Sequence, residues 1–303
     1  MMKSIDAHLH IFEHLTGFGF MGEFRALGGG KARWALGGME TLFPEDFGDT
    51  GVSAERMLRF MDDNDIEKAI LLQGSAYGFQ NEYVAESVAK YPERLVGTAT
   101  IDPFIYYFDQ VLDRLTGELQ FTRFKLEMSV FGGLCGYHDP DALWNHPNLD
   151  KLCRRLNDMK GTLALDIGGP DTASHRVRDV RRFALKYPNL NIVICHLLSM
   201  PGDRAADLTA ELSMLNMDNV WFDLAAIASN TKEHEPFSWA RTYLRIARET
   251  VGAKKLLWGT DCATVLKDYS YGELQRIVTD SDLFTAQELE MIFMKNAIAA
   301  YRI

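Results

Sequence analysis

Short apolar runs alternate with longer amphipathic stretches from one end of the chain to the other. Runs at 4–10, 68–73, 95–102, 121–127, 162–168, 190–196, 220–224 and 256–261 have the length and aliphatic character of buried strands. Between and after them, apolar positions recur at helical spacing over 54–65, 81–91, 104–118, 149–160, 173–187, 204–217, 239–251, 271–278 and 286–301. Eight strands, each followed by a helix, predict a closed (β/α)8 TIM barrel, in which every strand has two neighbours and no edge is exposed. An open doubly wound sheet is the competing arrangement. It calls for a Gly-rich phosphate turn after the first strand, whereas that strand runs into His8-Leu9-His10. No composition break, proline-rich linker or repeat divides residues 1–303, which read as one domain.

The first connection departs from this rhythm. Segment 11–52 carries ten glycines, with Phe12, Phe18, Phe20, Phe24, Trp34 and Phe43 interspersed. A long Gly-rich loop at this place predicts either a lid whose aromatics meet the substrate or an insertion that packs on the barrel rim.

Composition narrows the partners. The 303 residues carry 32 basic and 42 acidic side chains, a net charge of −10, and 47% hydrophobic residues. That is enough apolar content for a full core, and it leaves no extended basic surface for nucleic acid. The four cysteines, Cys135, Cys153, Cys195 and Cys262, are far apart and suggest no disulfide framework. With neither a signal-type apolar stretch at the start nor a run of eighteen apolar residues, the expectation is a cytoplasmic protein with no membrane partner. Association with further copies of the chain is left open.

The polar residues at strand ends carry the candidate chemistry. Strict alternation puts Asp6, His8 and His10 on one face of the first strand, so two imidazoles converge at its C-terminal end, where barrel enzymes build their active sites. The eighth strand ends in Asp261, next to the first strand once the barrel closes, and a buried carboxylate there needs a partner such as a cation. The sixth strand ends in His196. On the fourth, Arg123, Lys125 and Glu127 share a face opposite Phe124 and Leu126, and Arg123 and Lys125 suit an anionic, carboxylate-bearing small molecule.

Taken in order, Asp6-Ala-His8-Leu-His10, Ile194-Cys195-His196, Trp258-Gly-Thr-Asp261 and Lys295-Asn296-Ala297 resemble the amidohydrolase superfamily. The likeness is to its amidohydrolase-related (amidohydrolase 2) branch of metal-dependent barrel hydrolases, decarboxylases and lactonases. The resemblance implies one divalent ion, zinc or alternatively manganese, held by His8, His10 and Asp261, with His196 as a ligand or catalytic base. On the fifth strand the family usually presents a histidine, where this chain has Asp166. Asp166 then ligates the metal, orients a histidine, or marks a site that works without metal, as in some lactonases.

The expected activity is hydrolysis of an amide, ester or lactone by metal-activated water, with Asp261 as the proton-transfer residue. The alternative is non-oxidative decarboxylation of an aromatic or enol acid, with His196 or Asp261 delivering the proton. A barrel that has lost catalysis and only binds a small acid is the rival outside enzymology.

Overall fold

The computed structural model describes residues 2–303. Strand β1 (Ser4–Leu9) is followed by four short strands, β2 (Thr16–Gly19), β3 (Gly22–Gly28), β4 (Lys31–Trp34) and β5 (Met39–Thr41). Then come β6 (Ile66–Leu71), β7 (Leu95–Gly97), β8 (Arg123–Glu127), β9 (Thr162–Asp166), β10 (Asn191–Ile194), β11 (Val220–Asp223) and β12 (Leu256–Leu257).

Strands β1 and β6–β12 fall on the eight apolar runs and pair in parallel in the orders β1-β6-β7 and β8-β9-β10-β11-β12. Backbone hydrogen bonds join the two groups. Ala99 N donates to Arg123 O and Lys125 N to Ala99 O on one side; Ala7 N donates to Trp258 O and His10 N to Cys262 O on the other. The fold is the (β/α)8 barrel.

Helices over Ala54–Asp63, Pro147–Asp158 and Val177–Lys186 are amphipathic and bury their apolar stripes against the outside of the strands. Inside the barrel, alternate strand residues form a separate core of Ile5, Ala7, Ile70, Leu72, Ala164, Val193, Cys195 and Leu257. Its floor is closed by Ala297, Ala300 and Tyr301 of the last helix, Asn296–Tyr301. Thr162 Oγ1 and Asn191 Nδ2 donate to the Ala300 carbonyl and fix that helix to the N-terminal strand ends.

The first strand does not alternate strictly. Ile5 and Ala7 belong to the barrel interior, and in the pairing of β1 with β6 Asp6 lies opposite Ala69 but Leu9 opposite Leu71. Ala7 and His8 therefore share one position on the partner strand. This extra residue is a bulge that resets the phase, turning His8 and His10 inward above Ala7. Asp6 is separated from them. Its carboxylate accepts Thr260 N (3.1 Å), Thr260 Oγ1 (2.7 Å) and His8 N (3.0 Å), which ties the first strand to the eighth.

Segment 11–52 is ordered rather than a structureless loop. Strands β2–β5 form an antiparallel sheet, and Phe24 stacks on Trp34 with ring centroids 4.1 Å apart. The Gly-rich composition conceals short alternating strands, such as Lys31–Trp34, in which Ala32 and Trp34 are buried between exposed Lys31 and Arg33. The sheet lies close on the barrel rim: a Cβ at Gly17 would stand 1.7 Å from the Ala76 carbonyl oxygen. Among the described residues no helix is long and apolar enough to cross a membrane.

Candidate active site

At the C-terminal ends of the strands, local backbone geometry aims polar side chains at one point. The bulge in β1 delivers His8 and His10. In β11, Val220 and Phe222 pack outward, so Asp223, at the strand's last position, faces in. After β10, Cys195 faces the interior and simple alternation would turn His196 away; a left-handed backbone at His196 (φ 59°) brings it back over the mouth. Beyond β12, Gly259 lets the eighth strand pass His8, since a Cβ there would lie 3.0 Å from His8 Cβ. Asp261 follows.

Neighbouring acceptors fix the positions of the imidazole protons. His10 Nδ1 lies 2.9 Å from the Leu72 carbonyl oxygen, which can only accept, so Nδ1 carries the hydrogen. His8 Nδ1 lies 2.9 Å from Asp223 Oδ2, and the same reasoning places its hydrogen there. Burial pushes the His8 imidazole down to about 4, with the Asp223 charge opposing, so the ring is neutral and Nε2 is bare. That atom is buried and has no hydrogen-bond partner among the described residues. His8 Nε2 and His10 Nε2 stand 3.7 and 2.9 Å from Asp261 Oδ1. The three side chains offer ligand atoms all within 4.8 Å of one another. Burial alone would raise Asp261, but its hydrogen-bonding contact with His10 Nε2 and the charge of His196 outweigh it and hold the carboxyl at about 2.

Three potential ligand atoms gathered at one point, two imidazole nitrogens and a carboxylate oxygen, suit a divalent ion. Two of them are held by outer partners, Asp223 and the Leu72 carbonyl, as metal-binding imidazoles usually are.

His196 and Asp166 form a neighbouring pair. His196 Nδ1 faces the Ala225 carbonyl at 3.2 Å and Nε2 faces Asp166 Oδ2 at 3.2 Å, so both nitrogens meet acceptors. Burial disfavours the cation, but the Asp166 charge prevails and carries His196 up to about 10; burial likewise opposes ionisation of Asp166, and His196 holds it well below the usual carboxylate range. The rings of His196 and His8 are 4.5 Å apart. On β8, Lys125 Nζ lies 2.5 Å from Glu127 Oε2. Burial disfavours the ammonium, and the Glu127 charge more than restores it; burial and the Asp166 charge push Glu127 upward.

The structure thus brings His8, His10, Asp261, His196, Asp166 and Lys125 to one cavity. Within it Asp166 sits against His196 and outside the three-donor group, so its observed contact is the orienting one. Arg123 is a correction. It shares the inward face of β8, but at about 3.3 Å per strand residue it lies roughly 13 Å below Glu127. There its guanidinium donates to the carbonyls of Tyr301 (2.5 Å) and Arg302 (2.7 Å) on the barrel floor and cannot meet a substrate at the mouth. Two residues of the site were not anticipated. Asp223 carried a readable signal, an acid ending an alternating apolar strand; Tyr77, whose ring packs 4.7 Å from that of His10, comes from a loop with no pattern to read.

This is a barrel enzyme site with imidazoles on the first and sixth strands and a carboxylate on the eighth. A family model described as Amidohydrolase, Amidohydro_2, matches residues 5–303, and the chain belongs to that family, as an enzyme of amidohydrolase or carboxy-lyase type. Curated proteins give no match. Among solved structures, the chain is similar to an amidohydrolase from Burkholderia multivorans with bound zinc (TM-score 0.74, 13% identity, all of both chains covered). A probable 2-pyrone-4,6-dicarboxylic acid hydrolase from Acinetobacter baumannii with citric acid bound aligns with TM-score 0.73 and 19% identity, again over all of both chains. The 5-carboxyvanillate decarboxylase LigW from Sphingomonas paucimobilis aligns with TM-score 0.57 and 14% identity, over 81% of this chain and 82% of its own.

Proposed function

We propose that this chain is a hydrolase of a small carboxylate-bearing ester, lactone or amide, with His8, His10 and Asp261 holding one divalent ion, zinc first and manganese as the alternative. The observation that carries the reading is the convergence on Asp261, at the barrel mouth, of His10 Nε2 and of His8 Nε2, which is buried and has no hydrogen-bond partner among the described residues. A bound ion would polarise the substrate carbonyl and acidify water. Asp261, ionised and at the edge of the cavity, accepts the proton of the attacking water on its carboxylate. His196 has both ring protons committed, to Ala225 and Asp166, so it contributes positive charge beside the oxyanion that develops as the carbonyl is attacked. Lys125 is matched by Glu127 and offers the substrate an N–H without net charge.

Decarboxylation is the second reading, favoured by one feature: the cationic His196 over the cavity could give up the Nε2 proton it now shares with Asp166 to carbon as carbon dioxide leaves. Both readings are tested on purified, zinc-supplemented protein with 2-pyrone-4,6-dicarboxylate and 5-carboxyvanillate, following base uptake and carbon dioxide release. Ring opening without carbon dioxide supports the hydrolase. Carbon dioxide release without ring opening transfers the assignment to the carboxy-lyase. Full activity after removal of all metal by a chelator would support the metal-free lactonase instead.

A further inference from the structure

The barrel mouth has two lobes that share Asp166, His196 and Asp261. One, of about 260 Å3, runs beneath the insertion sheet against Phe24, Trp34, Leu42 and Phe131. The other, of about 380 Å3, opens between the loops that follow β9–β12 and is lined by Ser199, Ser229, Asn230 and Lys267.

Two donors of this second lobe lack a well-placed acceptor within the protein. Asn230 Nδ2 is buried and without a hydrogen-bond partner among the described residues. An amide N–H in that state is costly unless something completes it. Lys267 lines both lobes. Its ammonium approaches the Thr41 carbonyl at 3.4 Å, the outer limit of a hydrogen bond, and among the described residues it has no carboxylate at ion-pair distance. Asp268 lines the same lobe without pairing with it. The contrast with Lys125 is direct, since that ammonium is already neutralised by Glu127. A cation without a carboxylate partner and an amide donor without an acceptor, both on residues that line one cavity, make a place for an anion.

We infer that Lys267 and Asn230 grip a carboxylate of the substrate remote from the reacting carbon, and that Lys267, rather than Lys125 or Arg123, sets the preference for anionic substrates. This rests on the reading of the enzyme as one that acts on carboxylate-bearing molecules. Lys267 stands six positions beyond Asp261 on the same loop, so the grip and the proton-transfer group are placed by one short segment. A molecule held between them has its carboxylate in the polar lobe and its apolar part under the insertion sheet.

Isothermal titration of the zinc-supplemented enzyme with benzoate and with isophthalate tests the assignment. The parent should bind isophthalate about tenfold or more tightly than benzoate, the range expected of one added charge-assisted contact. Lys267→Met should weaken at least one of the two ligands by about tenfold, Lys267→Arg should retain most of the affinity, and Asn230→Ala should weaken isophthalate several-fold. Lys267 is exposed, so circular dichroism of the variants should match the parent. With a turned-over carboxylate substrate, Lys267→Met should raise KM and leave kcat nearly unchanged. Unchanged affinity for both ligands in Lys267→Met overturns the inference while leaving the proposed activity standing. No binding of either ligand to the parent overturns the carboxylate reading itself, and the inference with it.

Discussion

Replacing Asp223 by asparagine should move a proton on a different residue. Asp223 Oδ1 accepts His196 N at 2.7 Å and Ala225 N at 3.1 Å, while Oδ2 accepts from His8 Nδ1 at 2.9 Å. In the Asp223→Asn variant the two backbone N–H groups hold the new amide oxygen, which leaves the NH2 group facing His8. His8 Nδ1 must then become an acceptor. Its hydrogen transfers to Nε2, and the electron pair that faced Asp261 is lost.

The energy involved is that of a charge-assisted hydrogen bond, about 1.5–3 kcal/mol, or roughly 10- to 150-fold in affinity. Zinc binding should weaken by that factor, in line with the ~10–100-fold typical when an outer partner of a metal-binding imidazole is removed. The fold should survive, because two of three accepted hydrogen bonds remain. Asp223→Ala is the poorer probe: it strips the acceptor from three buried donors at about 1–3 kcal/mol each, against a typical total stability of about 5–15 kcal/mol. The assay is competition with a zinc chelator on metal-stripped protein, with thermal melting as the folding control and imidazole nitrogen resonances to locate the proton. A folded Asp223→Asn variant that binds zinc within about threefold of the parent would refute the donor assignment at His8.

Three further outcomes follow from the same geometry. Asp261→Asn should lower turnover by about 10²–10⁴-fold, the usual worth of a positioned proton-transfer group; retained zinc with lost activity identifies proton transfer, and loss of both identifies a ligand. Asp6→Ala should destabilise by several kcal/mol, because three buried donors lose their acceptor, while Asp6→Asn keeps an oxygen for the two backbone N–H groups and should melt much closer to the parent; equal melting temperatures for the two variants would contradict this role. Gly17→Ala should lift the insertion sheet from the rim, since its Cβ cannot coexist with the Ala76 carbonyl, and protease cleavage within 11–52 should accelerate; an unchanged digestion rate would mean the sheet is not held there.

The fold was legible because burial on both faces makes parallel strands read as apolar runs, and all eight runs became barrel strands. The insertion was less so. Short antiparallel strands with one exposed face alternate over only four to seven residues, and frequent glycine between them resembles loop composition. Its length and aromatic content left open a lid over the pocket or an insertion packed on the rim; that it is a folded sheet depends on contacts with Ala76 and Phe131 that are remote in sequence.

At the site, residue type and strand position carried most of the information, and phase carried the errors. Strict alternation grouped Asp6 with His8 and His10, whereas the bulge at Ala7 and His8 separates them and leaves Asp6 binding Thr260. Alternation correctly turned Arg123 inward but said nothing of height, and height decides whether a guanidinium meets a substrate or the carbonyls of Tyr301 and Arg302. Asp223 was the converse case. Phase and height both pointed to it, in Val-Trp-Phe-Asp, and no motif did. A strand-end acid whose neighbours pack outward must find a buried partner, and in this barrel the partners within reach are the His8 ring and the His196 backbone, the two groups whose orientation the chemistry needs.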